Sequence, residues 1–171
     1  VSDAGQGDNY WDVGDTKTIT INGKVGNFTF SNLSIAVFIL GFNHNSSREG
    51  SNRIHFQIGK ISNKLVGLCD SQYGSYPTGT PSSPPANTLL AALPADLRAV
   101  MKSVTKYSDN TGGGSNTASY VTATTDWLFL LAEFEYHGSR SYANSAEQNY
   151  QQQYAYYKAG NSKVHYRHDN T

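Results

Sequence analysis

The feature that most constrains the fold is a run of large apolar side chains in a chain that is otherwise polar and turn-rich. Residues 127–131 are five consecutive large apolar residues, a pattern typical of a strand buried on both faces. The run then alternates, so that Glu133 and Glu135 would share the opposite, solvent-facing side. A buried helix is the alternative, but the threonine-rich segment 122–125 disfavours it and Gly138 stops the run early. We therefore predict a central strand here.

Composition excludes several classes of function. The 171 residues carry zero net charge and only 15% are charged, which does not favour nucleic acid as a partner. Cys69 is the single cysteine, so there is neither an intrachain disulfide nor a cysteine metal cluster. No apolar run approaches the ~20 residues of a membrane span. We expect a flexible arm over 1–10 and one α+β domain over 11–171.

The first 70 residues are predicted to be β-rich. Alternation over 18–21 indicates a strand, Asn22-Gly23 is a strong hairpin turn signal, and 25–30 would be the returning strand. The apolar run 35–40 is expected to pair with the central strand, and 53–58 alternates as a half-buried strand.

A Pro/Ser/Gly-rich connector over 74–86 separates these strands from a helical section. Asn87 can cap a short helix, and Pro94 suits the first turn of a second one. The second helix would place an apolar stripe against the sheet, formed by Leu93, Leu97, Val100, Met101 and Val104. Ser145 and Gln148 fit a capping box for a third helix. That helix would carry tyrosines 150, 154 and 157 on one face, and we expect them to cover the sheet.

Two groups of residues could support chemistry. Glu133 and Glu135 would lie roughly 7 Å apart on a strand, a separation that glycosidases tolerate. Adjacent residues of one strand seldom flank a substrate, however, so a solvated face is preferred. His165, His168 and Asp169, with His137, offer metal-ligand atoms but no convergent pattern. Gly112-Gly113-Gly114 lacks the lysine and helix of a phosphate loop. No catalytic, metal or cofactor residue is assigned, and the ligand-binding residues are unknown.

Several longer motifs together suggest a family. They are residues 93–106, Trp11-x-Val13-Gly14-Asp15, Asn43-His44-Asn45, residues 126–135 and residues 153–157. On these motifs the chain resembles an uncharacterised domain family of gut phages and Gram-positive bacteria, from about residue 11 to the end. Family members continue into a Trp-Trp and Asn-rich ending similar to the C-type-lectin-like variable proteins of diversity-generating retroelements. That ligand-binding ending is absent here, so the domain is expected to be incomplete at its C-terminus.

The sequence and the resemblance lead to one expectation. The fold would be α+β, a twisted mainly antiparallel sheet with two or three helices, C-type-lectin-like by resemblance. The function would be a non-enzymatic binding or structural module of a phage virion surface (tail, fibre or capsid adhesin) that contacts host-surface glycan or protein. It would act as a homo-oligomer among other virion proteins, on the virion surface or outside cells. The alternatives are a bacterial-surface glycan-active enzyme using Glu133 or Glu135, and a purely structural virion spacer.

Overall fold

The computed structural model describes residues 1–61, 79–111 and 116–162, and within them the chain is α+β. The strands are β1 (Thr16–Val25), β2 (Phe28–Phe42), β3 (Ile54–Ile58), β4 (Val104–Asp109) and β5 (Val121–Asp126). The α-helices are α1 (Ser46–Glu49), α2 (Leu89–Ala92), α3 (Ala95–Val100), α4 (Glu133–His137) and α5 (Ala155–Lys158). Short 3-10 turns occupy Ser2–Ala4, Gly7–Asn9, Ala118–Tyr120 and Ser145–Asn149.

The predicted α+β class with mainly antiparallel strands is confirmed. One sheet has three strands in the order β1-β2-β3, and a second is the antiparallel pair β4-β5, with Val104 opposite Asp126 and Asp109 opposite Val121. The described helices number five short ones rather than two or three. The C-type-lectin-like assignment stays a prediction. None of the helices in the described ranges is long and apolar enough to cross a bilayer.

The chain forms two compact units, each built from separate segments. The described part of the first consists of Val1–Asp15, Phe38–Gln57, 103–111 and 116–162, and that of the second consists of Thr16–Val37, 58–61 and 79–102. In the second unit α2 packs on β1, and the buried side chains include Ile21, Val25 and Leu90. In the first unit the buried apolar side chains include Leu40, Val121 and Tyr157.

The predicted central strand is wrong. The threonine-rich segment forms β5, and residues 127–132 have no regular secondary structure, with Leu130 77% exposed. Glu133 and Glu135 lie on the helix α4 because the Glu135 carboxylate accepts the peptide N–H of Ala132 and so caps the first turn. Gly138 ends the helix in the left-handed conformation, at φ 67°. The run 35–40 is mostly buried but belongs to β2, whose neighbours are β1 and β3.

The prediction of a hairpin turn at Asn22-Gly23 is also wrong. Strand β1 continues through these residues to Val25, and the chain reverses at 26–27. Gly23 still has a positive φ of 112°, and the Asn22 side chain accepts the peptide N–H of Asn32. The dipeptide therefore serves as an irregularity within the strand rather than as its end.

The helical section is confirmed in part. Thr88, rather than Asn87, caps α2 by accepting the peptide N–H of Ala91, and α3 follows Pro94 as predicted. Helix α3 ends at Val100, which is exposed, so the five-residue apolar stripe does not form. A strand takes over at Val104.

The remaining predictions have mixed outcomes. The capping box at Ser145 is replaced by a 3-10 turn that the Asn144 side chain caps. Tyr154 and Tyr157 are buried as expected, but only Tyr157 lies in a helix. Residues 1–10 are not a loose arm, since Gly7 is buried and a Cβ there would lie 2.9 Å from the Phe42 ring. Residues 74–78 of the connector, the triple glycine, His165, His168 and Asp169 lie outside the described residues.

Candidate functional site: a buried ion cluster

Glu133 is held by the backbone that follows its helix. Its carboxylate accepts the peptide N–H groups of Ser141 at 2.7 Å, Tyr142 at 3.0 Å and Ala143 at 2.8 Å. Desolvation raises the pKa of Glu133, but these three hydrogen bonds outweigh it and leave the pKa below its usual value. These three hydrogen bonds join the loop 141–143 to α4, so the carboxylate of Glu133 has a structural role.

Glu135 lies two residues further along α4 and therefore points away from Glu133. Its side chain is fully buried, at 0% exposure. One carboxylate oxygen accepts the Ala132 N–H at 3.0 Å, and the other contacts the ammonium of Lys106 directly. The structure thus separates the two glutamates. Residues i and i+2 lie on different faces of a helix, whereas on a strand they would share one face.

Glu135 belongs to a group of buried polar side chains that the sequence did not reveal. We call it the Lys106 cluster. Each member comes from a different element or loop of the first unit: the turn after β2, α1, β3, β4, α4 and the segment before α5. The members are His44, Glu49, His55, Lys106, Glu135 and Tyr154.

Lys106 is the centre of the cluster. Its Nζ donates to Oε1 of Glu49 at 3.0 Å and also to Oε1 of Glu135. The ammonium lies 4.6 Å from the ring centroid of Phe129 and 5.6 Å from that of Tyr154, so aromatic faces surround the rest of it. One cation therefore bridges two buried carboxylates in a largely water-excluded setting.

The two histidines pack against the same tyrosine. The rings of His44 and Tyr154 stack at 3.6 Å with an interplanar angle of 15°, and His55 Nδ1 lies 3.0 Å from the Tyr154 hydroxyl. Burial lowers the pKa of His44 to about 3, helped by His55 and Lys106. Burial likewise lowers the pKa of His55 to about 3, helped by Lys106 and Arg53. Both rings are therefore neutral at pH 7.

Glu49 and Tyr154 complete the cluster. Desolvation raises the pKa of Glu49 even though Lys106 opposes it, and burial raises the pKa of Tyr154 well above its usual value. Within the cluster, three buried polar atoms have no hydrogen-bond partner among the described residues: Nε2 of His44, Nε2 of His55 and Oε2 of Glu49. Unpaired buried groups are costly, so these atoms mark the cluster as a candidate functional site.

A metal ion is the first ligand to consider. Ligand atoms of His44, Glu49 and Glu135 all lie within 4.8 Å of one another. However, the ammonium of Lys106 already contacts both carboxylates, which is the position that a cation would need. A lysine is a compact point charge that balances carboxylates as a metal would. We therefore describe the group as an ion cluster neutralised by a side chain.

Sequence reasoning had little signal for these residues. His44 appears within the quoted Asn43-His44-Asn45 motif, without an assigned role. Side chains do alternate along β3, but the polar His55 is on the buried face and the apolar Phe56 is 49% exposed. Lys106 appears only as the last residue of the quoted motif 93–106, without an assigned role, and it lies buried in β4. The residues adjacent to a charged side chain in the sequence do not show which distant residues it will contact.

Tyr154→Phe tests whether the hydroxyl matters to the cluster. Removing it deprives His55 Nδ1 of its partner inside the core, and we expect a loss of about 1–3 kcal/mol in the free energy of unfolding, measured by urea denaturation. Tyr142 is 90% exposed, so Tyr142→Phe is the matched control and should change stability by less than about 0.5 kcal/mol. Equal stabilities of the two variants would contradict the assigned role of the hydroxyl.

Comparison with known proteins adds no assignment: no protein-family model, curated protein or solved structure matches the chain.

Proposed function

We propose that the protein is a non-enzymatic binding module of a phage virion surface, and that it contacts host-surface glycan through Tyr10 and Trp11. The observation that carries the proposal is the exposure of this aromatic pair. Tyr10 is 63% exposed and Trp11 43% exposed, and their ring centroids lie 5.9 Å apart at 46°. Two adjacent aromatic rings open to solvent offer an apolar surface that a ligand can cover.

The pair is mounted on an ordered support. The N–H groups of Tyr10 and Trp11 both donate to the carbonyl of Gly7, at 3.1 Å each. Further on, Gly14 donates to the Ile39 carbonyl at 2.9 Å and Ile39 donates to that of Asp15 at 3.0 Å. A support of this kind reduces the entropy lost when a ligand binds, which favours recognition.

The chemistry around the pair suits a sugar. An aromatic ring offers an apolar face for the C–H side of a sugar ring, and the tyrosine hydroxyl and the indole N–H offer polar contacts. The exposed carboxylates of Asp8 and Asp12 flank the pair in sequence and can accept hydrogen bonds from sugar hydroxyls. Binding at one such site would be weak, and display of many copies on a particle as a homo-oligomer would supply avidity.

Glu133 and Glu135 both have partners within the protein, which favours a binding module over a glycan hydrolase. Hydrolysis needs two carboxyl groups on either side of a substrate. Glu133 instead accepts three backbone N–H groups, and Glu135 is fully buried against Lys106. The proposal therefore keeps the non-enzymatic role and does not draw on either glutamate.

The test is glycan-array and host-cell binding with the full chain displayed multivalently. We expect Trp11→Ala and Tyr10→Ala each to weaken binding about tenfold or more, as loss of an aromatic anchor does. The matched control is Tyr142→Ala, which removes an even more exposed tyrosine elsewhere and should leave binding unchanged. Circular dichroism should show that all three variants are folded.

Three outcomes would count against the proposal. Binding that survives loss of both rings would place the ligand site elsewhere. A chain that binds no glycan and no host cell, in any multivalent form, would favour the purely structural spacer. Turnover of a glycan that survives dilution and disappears in Glu133→Gln would instead favour the enzyme.

A further inference from the structure

We infer that Lys106 and Glu135 condense into an intramolecular isopeptide bond, with Glu49 carrying the proton. The inference concerns the Lys106 cluster and does not rest on the proposed glycan site. Amide formation needs a nucleophile, a carboxyl group and a proton carrier in mutual contact. Lys106 Nζ contacts Oε1 of Glu135, and it donates to Oε1 of Glu49 at 3.0 Å.

The surroundings supply what the reaction requires of a protein. Glu135 is fully buried, and its second oxygen accepts the Ala132 N–H at 3.0 Å, so a backbone donor polarises the carboxyl group under attack. The rings of Phe129 and Tyr154 lie 4.6 Å and 5.6 Å from Nζ and limit access of water. Fixed contact between reacting groups replaces a bimolecular encounter with an intramolecular one.

The condensation conserves atoms and charge. The Lys106 ammonium passes a proton to the carboxylate of Glu49, and the resulting amine attacks Cδ of Glu135. The new N–C bond forms as a C–O bond of Glu135 breaks. The departing oxygen takes one proton from Nζ and one from Glu49, and leaves as water. Glu49 returns to its starting carboxylate form, so no oxidant, reductant or co-reactant is consumed.

Glu49 is suited to carry the proton. Desolvation by burial raises the pKa of the carboxyl group, which makes it a better proton acceptor than an exposed glutamate, and it lies within hydrogen-bond distance of Nζ. It is held by Asn45, whose amide donates to Oε1 at 3.4 Å and to the Tyr150 carbonyl at 2.7 Å.

Buried charge supplies the driving force. A buried ion pair bears a desolvation penalty that its attraction repays only with excellent geometry. The condensation replaces two charged groups with one neutral amide and releases a water molecule. The product would join β4 to α4 across a separation of 29 residues. With Cys69 as the only cysteine, no disulfide within the chain could provide such a covalent tie.

The test is the intact mass of the full chain, measured under denaturing conditions and followed by tryptic mapping. We expect a mass about 18 Da below that of the sequence, the loss of one water. We also expect a branched peptide that joins Lys106 to Glu135 and no tryptic cleavage after Lys106. An unshifted mass overturns the inference. So does a loss of about 17 Da, one ammonia, mapped to Asn45 joined to Lys106 or to a succinimide at Asn22.

Substitutions distinguish the nucleophile, Lys106, from the proton carrier, Glu49. Lys106→Arg keeps a positive charge but removes the amine, so its mass should be unshifted, whereas Lys24→Arg on the exposed surface of β1 should retain the full loss. Glu49→Gln keeps both partners of the bond and should slow its formation at least tenfold. Complete cross-linking of Glu49→Gln at the wild-type rate would overturn the proton-carrier role. Should Lys106→Arg not fold, the wild-type mass and map still decide.

Discussion

Acidification from pH 7 to pH 4.5 is expected to remove roughly 3–5 kcal/mol from the free energy of unfolding, through His44 and His55. Both pKa values fall from 6.5 in the unfolded chain to about 3 in the folded protein, mainly because of burial. Between those values the unfolded state binds more protons. The stability from the two neutral rings is thus fully present above pH 6.5 and is lost progressively as the pH falls towards 3.

Other groups alter this profile without reversing it. Glu49 works in the opposite direction, because its raised pKa lets the native state take up a proton before the unfolded chain does. Asp109 and Glu133 have lowered pKa values, so their contributions fall away only below their unfolded values of 3.8 and 4.5. From pH 6.5 to 4.5 the two histidines therefore dominate.

The measurement is urea denaturation at half-unit steps from pH 7 to 4.5. Two histidines predict a slope approaching about 2.7 kcal/mol per pH unit before the offset from Glu49, and His55→Gln should reduce it by about 1.4 kcal/mol per unit. His137 is exposed at the end of α4, so His137→Gln is the matched control and should keep the wild-type slope. A stability that stays flat between pH 6.5 and 5 would contradict the burial of neutral histidines.

Relative to the uncondensed chain, Lys106→Met is expected to cost about 3–5 kcal/mol, because it leaves Glu49 and Glu135 buried without their cation. Where the amide has formed, the variant also removes that cross-link, so the measured loss is larger. Methionine preserves most of the stem volume, so the loss is not that of a cavity. Chemical denaturation of Lys106→Met against Lys158→Met measures it, since Lys158 is exposed on α5 and its replacement should be nearly neutral.

A double variant shows whether the effect belongs to the pair. Adding Glu135→Gln to Lys106→Met removes one of the stranded carboxylates, so the combined loss should be smaller than the sum of the single losses. Additive losses would show that Lys106 and Glu135 do not interact, and a cost below about 1 kcal/mol for Lys106→Met alone would show that the cluster does not stabilise the first unit.

Local patterns predicted some elements correctly. Alternation placed Ile19 and Ile21 on the buried side of β1, and the leucines before Pro94 predicted α2 and the start of α3. These features depend on residues a few positions apart, whose periodicity is visible in the sequence. They determined the α+β class without help from tertiary contacts.

The same local reasoning failed where two structures compete over a short stretch. Five apolar residues at 127–131 suit a buried strand, but regular pairing ends at Asp126, opposite Val104, and Ala132 begins the capped turn of α4. A run of that length cannot distinguish strand, helix and irregular chain by composition. The hydrogen bonds made by its neighbours decide between them.

What the sequence determined by itself is therefore the class of fold, the neutral and cysteine-poor composition, and those strands and helices with clear periodicity. Only the tertiary structure decided that Lys106 is buried, that His55 faces inward while Phe56 faces solvent, and that Glu133 and Glu135 have separate partners. The physical reason is that burying a charge is favourable only when its partners converge on it. Those partners lie far apart in the sequence, 57 residues for Glu49 and Lys106, so no local pattern indicates them.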